Sequence, residues 1–112
     1  MLHNLVFLFY ISLPANFLQQ PQLIGNWKVT EIISNGKSIG ADIPMNISLQ
    51  FLPDGKVIAH MDEKTEMGRW KIEGEFLILF QPKTTEKFRF QLQGNRLNLI
   101  KDAEMIVLTK QG

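Results

Sequence analysis

His60 and Asp62 stand two residues apart in a stretch that alternates apolar and polar, so both point to one face of a strand. A histidine and a carboxylate so placed could share a proton or hold a metal. His3 is the only other histidine and no third ligand stands at a useful spacing, so the pair reads as solvated. Asp62, Glu63 and Glu66 form an acidic link with too few oxygens for calcium. The serines are Ser12, Ser34, Ser38 and Ser48; none lies in a Gly-x-Ser-x-Gly elbow, and nothing brings His60 to one of them. There is no Gly-rich phosphate loop. The chain has no cysteine, which excludes a disulfide framework, a thiolate metal site and a cysteine nucleophile. These residues assemble no catalytic centre, metal site or cofactor site, and the chain reads as non-enzymatic.

Arg69, Lys71, Lys83, Lys87 and Arg89 crowd one stretch of the sequence, with Phe76 and Phe80 among them. Cations interleaved with aromatics are the outline of a nucleic-acid face. The formal net charge is only +1, however, which supplies no strong field. The expectation is a solvated sheet exterior and no nucleic-acid partner.

The elements that must carry these side chains are strands. After Trp27, short alternating runs are broken by turn residues every 8–12 positions or so, the signature of an all-β barrel or sandwich. The runs are 26–33, 46–52, 56–61, 67–72, 76–80, 87–93, 96–101 and 105–110. Residues 37–44 form a looser connection containing Gly40 and Pro44. The fold class is therefore all-β, an eight-stranded antiparallel up-and-down meander closing into a barrel. It occupies residues 23–112 and is preceded by an apolar segment, 1–22.

Turn lengths fix which side chains share a face. A three-residue Pro53-Asp54-Gly55 turn pairs Phe51 with Val57 and Ile47 with Met61. A two-residue Gly94-Asn95 turn pairs Leu92 with Leu97 and Phe90 with Leu99. The spelling apolar-x-Gly-x-x-Leu recurs at Ile72–Leu77, so Ile72 pairs Leu77 and Trp70 pairs Leu79. A three-residue turn at Asp102, Ala103 and Glu104 would pair Leu99 with Val107. The inward face then runs from Trp27, Val29 and Ile33 to Met105 and Val107, with Glu31 as its main polar member. Any ligand pocket lies between Trp27, Met61, Trp70, Phe88, Phe90 and Met105, with Glu31 as polar anchor. Two outward patches are apolar: Phe76, Ile78 and Phe80, and Ile100, Ile106 and Leu108. Patches of that size mark covered or partnered surface, a second copy of the chain included.

Residues 1–22 contain no Lys, Arg, Asp or Glu. Their nine-residue apolar run, 5–13, is far short of the ~20 residues that span a bilayer, so no integral membrane span is expected. The run suits a signal-peptide core, although its flank lacks basic residues and no clear cleavage site follows. It equally suits an extra element covering apolar surface. The first reading places the protein in the periplasm or outside the cell; the second leaves it cytoplasmic.

Gly25-Asn26-Trp27 opens the first strand. Gly25 allows a sharp entry, and Trp27 can plug one end of a barrel. This G-x-W resembles the lipocalin and calycin fingerprint. The ordered series "LQFLPDGKV", "GRWKIEGEFLIL" and "FRFQLQGNRLNL" resembles small bacterial lipocalin-like domains. The resemblance covers about 23–110. It implies a closed barrel, with Lys110 or Arg96 packed on the Trp27 ring. It also implies a small apolar ligand in the interior. The T-D-Y motif of standard lipocalins has no counterpart here, so the resemblance speaks to fold more than to carriage. The alternative is a packed-core barrel that acts as an interaction or self-association module.

Overall fold

The computed structural model describes residues 22–39 and 46–112. The expectations for the N-terminal apolar segment, and for Gly40 and Pro44, lie outside these residues. Nine strands are described: β1 (Gly25–Ser34), β2 (Lys37–Ser38), β3 (Ile47–Phe51), β4 (Lys56–Met61), β5 (Lys64–Glu73), β6 (Phe76–Phe80), β7 (Thr85–Gln93), β8 (Arg96–Lys101) and β9 (Glu104–Gln111). Consecutive strands from β3 to β9 pair antiparallel, β1 pairs β3, and β9 returns to pair β1. The result is a closed eight-stranded barrel. The short β2 lies beside the end of β1 as an addition that the sequence reading took for a loop.

Turn chemistry explains most of the registers. Gly55 sits at φ +88° and closes the Pro53-Asp54-Gly55 turn, so Phe51 faces Val57 and Ile47 faces Met61. Ile72 faces Leu77, Trp70 faces Leu79, Leu92 faces Leu97 and Phe90 faces Leu99. These pairings agree with the expectation.

The β8–β9 hairpin does not. Its turn has two residues, Asp102 and Ala103, because Asp102 adopts a left-handed φ of +54° and Lys101 already pairs with Glu104. Leu99 therefore faces Ile106, and Leu97 faces Leu108. Ile106 and Leu108 turn into the barrel, while Met105 and Val107 turn out. The partner strand makes the matching adjustment. Val29 pairs Leu108, but Glu31 already pairs Val107, leaving Thr30 as a β-bulge. The Thr30 hydroxyl meets the Val107 carbonyl oxygen at 3.4 Å and the Thr109 hydroxyl at 3.1 Å. Past the bulge the alternation is reset, so Ile32 faces in and Glu31 and Ile33 face out. Glu31 accepts a hydrogen bond from the Ser38 hydroxyl on the outer surface.

The core comprises Leu23, Trp27, Val29, Phe51, Val57, Trp70, Ile72, Leu77, Leu79, Phe90, Leu97, Leu99 and Leu108. Burial of large side chains like these is the main driving force for closing the barrel. Among the described residues no helix is long and apolar enough to cross a membrane.

Candidate functional site

The two ends of the barrel differ. One end carries the β3–β4, β5–β6 and β7–β8 turns and is sealed. The Trp27 indole N–H donates to the Leu23 carbonyl at 2.8 Å, and both side chains are wholly buried. The Trp70 indole N–H donates to the Leu52 carbonyl at 3.0 Å, and its ring stands edge-on to Phe51, centroids 5.4 Å apart. Each indole thus satisfies its polar atom on a backbone carbonyl while its ring fills space. Lys110 pairs with Trp27 across β1 and β9, holds its ammonium 5.7 Å from the ring centre, and donates to the Gln22 carbonyl at 3.3 Å. Of the two cations the resemblance offered for that ring, Lys110 is the one in place.

The opposite end carries the β4–β5, β6–β7 and β8–β9 turns, and the described residues leave it open. Inward-facing Ile32, Ile47, Met61, Phe88 and Ile106 are only half-buried there. Beyond them the inward register positions become charged: Lys64, Glu66, Glu86, Lys101 and Glu104. Lys101 and Glu86 form an ion pair at this mouth, and the Lys101 ammonium lies 5.8 Å from the Phe88 ring centre. The hydrogen bond to Glu86 raises the Lys101 pKa above its ordinary value. The Asn46 N–H donates to the Asp62 carboxylate at 3.1 Å and the Asp62 N–H to the Asn46 carbonyl at 2.9 Å, tying the β4–β5 turn to the start of β3. A solvent-open concavity of about 850 Å³ lies beside that tie, lined by Asn46, Met61, Asp62, Glu63, Lys64 and Glu66. Deeper in, a void of about 10 Å³ touches Leu49, Val57, Gly68 and Leu79, room for about one water.

The residues expected to line a pocket therefore separate into three groups. Met61 and Phe88 come together at the open end. Trp27, Trp70 and Phe90 belong to the packed core. Glu31 and Met105 are on the outside, because the bulge at Thr30 and the two-residue turn at Asp102 put them there. The exterior patches change in the same way. Phe76, Ile78 and Phe80 do face out, each beside a cation, and Ile100 faces out. Ile106 and Leu108 do not; the second patch is instead Ile33, Met105 and Ile100, in register across β1, β9 and β8, with Val107 adjoining. His60 faces out on β4, with its Nδ1 3.5 Å from the Thr65 hydroxyl. Among the described residues no three of His, Asp and Glu gather to hold a metal ion. The mouth charges are not legible in the sequence, because Lys64 and Glu66 stand in a polar run that looks like a loop and β9 is apolar in both phases.

A lipocalin-like protein from Bacteroides uniformis superposes with a TM-score of 0.66 at 15% sequence identity, covering 80% of this chain and 98% of that one. The barrel is lipocalin-like. An uncharacterized protein from Bacteroides eggerthii matches to the same degree, with a TM-score of 0.66 and 15% identity over 79% of this chain and 98% of the other. No protein-family model and no curated protein matches the sequence. At that identity the likeness of the lipocalin-like barrels is one of backbone path, and side-chain chemistry has to be argued from this chain's own residues.

Proposed function

We propose that this lipocalin-like barrel binds a small apolar molecule in its open half and catalyses no reaction. The observation that supports this is the division of the inward face. Trp27, Phe51, Leu77, Leu97 and Leu108 are fully enclosed, whereas Ile32, Ile47, Met61, Phe88 and Ile106 point inward and still meet solvent. Apolar walls with a few convergent polar groups at the rim are the usual makeup of a small-molecule site. Here the rim groups are Glu86 and Lys101. The test is titration with an environment-sensitive apolar fluorophore. Saturable binding at one site per chain, weakened by Phe88→Lys and unaffected by Met105→Lys on the outer wall, is the expected result. Absence of saturable binding overturns the proposal.

A second reading, self-association, draws on the outer row of Ile33, Met105 and Ile100. Three neighbouring strands present an apolar side chain at the same level there. Light scattering decides it: a dimer mass that Met105→Lys converts to a monomer mass supports this reading, and a monomer mass for the unmodified chain rules it out.

A further inference from the structure

We propose that the outer wall of β5, β6 and β7 docks on an anionic phospholipid surface. On this wall the three outward side chains of β6 are Phe76, Ile78 and Phe80. Four of their six cross-strand neighbours are basic: Arg69 beside Phe80, Lys71 and Lys87 on either side of Ile78, and Arg89 beside Phe76; the other two are Thr85 beside Phe80 and Glu73 beside Phe76. The four cations are exposed, and Phe80 keeps 36% of its surface in solvent. The Lys87 ammonium stands 4.4 Å from the Phe76 ring centre, with the Arg89 guanidinium at 5.8 Å, and the Lys71 ammonium is 5.7 Å from the Phe80 ring centre.

Two acids, Glu73 and Glu75, offset two of the wall's four cations. Lys71 pairs with Glu73 at 2.7 Å and Arg89 with Glu75 at 3.0 Å, both toward the sealed end. Arg69 and Lys87 have no acid within ion-pair distance among the described residues. Six of the eleven acids, Asp62, Glu63, Glu66, Glu86, Asp102 and Glu104, lie instead at the open end. A formal net charge of +1 therefore conceals a local excess of positive charge on this wall, carried by Arg69 and Lys87.

The occupant follows from how the rings are held. Stacking on nucleic-acid bases requires a free aromatic face. Here cations already lie over Phe76 and Phe80, and the position between them is aliphatic Ile78, which is 7% exposed. A headgroup layer asks for something different: cations that meet lipid phosphates and carboxylates, and apolar groups entering the headgroup boundary between them. The alternation of Arg or Lys with Phe on one convex wall meets that requirement without deep insertion.

The test is co-sedimentation of the full chain with phosphatidylcholine vesicles, with and without phosphatidylserine. Two charge-matched variants are compared, Arg69→Gln with Lys87→Gln, and Lys28→Gln with Lys37→Gln on the diametrically opposite wall of β1 and β2. The proposal expects binding that requires phosphatidylserine and falls as salt rises. The first variant should bind roughly 25-fold more weakly, at about fivefold per cation removed near an anionic surface, and the second should bind as the unmodified chain does. Binding to both vesicle types alike, equal loss in both variants, no binding, or tighter binding to a single-stranded oligonucleotide would each overturn it.

Discussion

Gly25 and Lys110 face each other so closely that a Cβ on the glycine would lie 2.9 Å from the lysine Cε. Gly25 also sits at φ +136°, where other residues are strained. The glycine thus lets the Lys110 stem lie across the entrance of β1 and over Trp27. Gly25→Ala should lower stability by about 1–2 kcal/mol, mostly through the backbone, since a lysine stem can move aside. Lys110→Ala should cost less, and the double variant should cost little more than Gly25→Ala alone. Urea unfolding followed by tryptophan emission measures all three.

A harsher conflict lies at Gly68. It has an ordinary backbone conformation, yet a Cβ there would stand 2.4 Å from the Phe80 carbonyl oxygen. That neighbour is backbone and cannot swing away. Gly68→Ala should cost about 2–3 kcal/mol, whereas Gly94→Ala, in open space at φ +57°, should cost only about 1 kcal/mol. Equal effects at the two positions would contradict the close approach of β5 to the end of β6.

The direction of β9 is open to an equally direct check. Leu108→Ala empties a fully buried position and should cost about 2–5 kcal/mol. Met105→Ala, on the outer face, should change stability by no more than about 1 kcal/mol. Chemical denaturation that found the reverse order would place Met105 inside and restore the three-residue turn.

Titration behaviour should show at both ends of the pH scale. The hydrogen bond and charge of Lys71 hold the Glu73 carboxyl below its ordinary value. A lowered pKa contributes stability above the unfolded value of about 4.3, and that contribution is lost as pH falls through the folded value. Glu73→Gln should therefore flatten the acid limb of a Tm-against-pH curve. Lys101 is raised by Glu86, so its contribution is full below about 10.4 and disappears as pH rises through the folded value. Glu86→Gln should flatten the alkaline limb. Both groups are solvent-exposed, so both effects are small.

What could be read from the sequence depended on whether a turn announced its own length. Pro53-Asp54-Gly55, Gly74 and Gly94 each carry a residue that demands a left-handed backbone, and the strands on either side were placed in register from them. Asp102 takes the same backbone conformation without a glycine to signal it. The strand after it, "MIVLTK", is apolar in both phases, so alternation could not choose between Met105 with Val107 and Ile106 with Leu108. The same ambiguity holds at Ile32 and Ile33, where a bulge at Thr30 decides. The candidate site suffered most, because Glu31 and Met105 were assigned by those two phases. The mouth charges were hidden for a related reason: Lys64 and Glu66 sit in a polar run that looks like a loop and is strand.

The pairing of β1 with β9 has a consequence for how the molecule is made. Its contacts join residues as far apart as Asn26 and Gln111, so closure waits until β9 has left the ribosome. Until then the nascent chain is an open sheet with two unsatisfied edges, and Leu108 is missing from beside Val29. Distant pairing of this kind slows folding, since the long loop must be ordered before its contacts form. A chain lacking β9 would present β1 and β8 as a template for edge-to-edge association, and that eight-residue strand is what removes it.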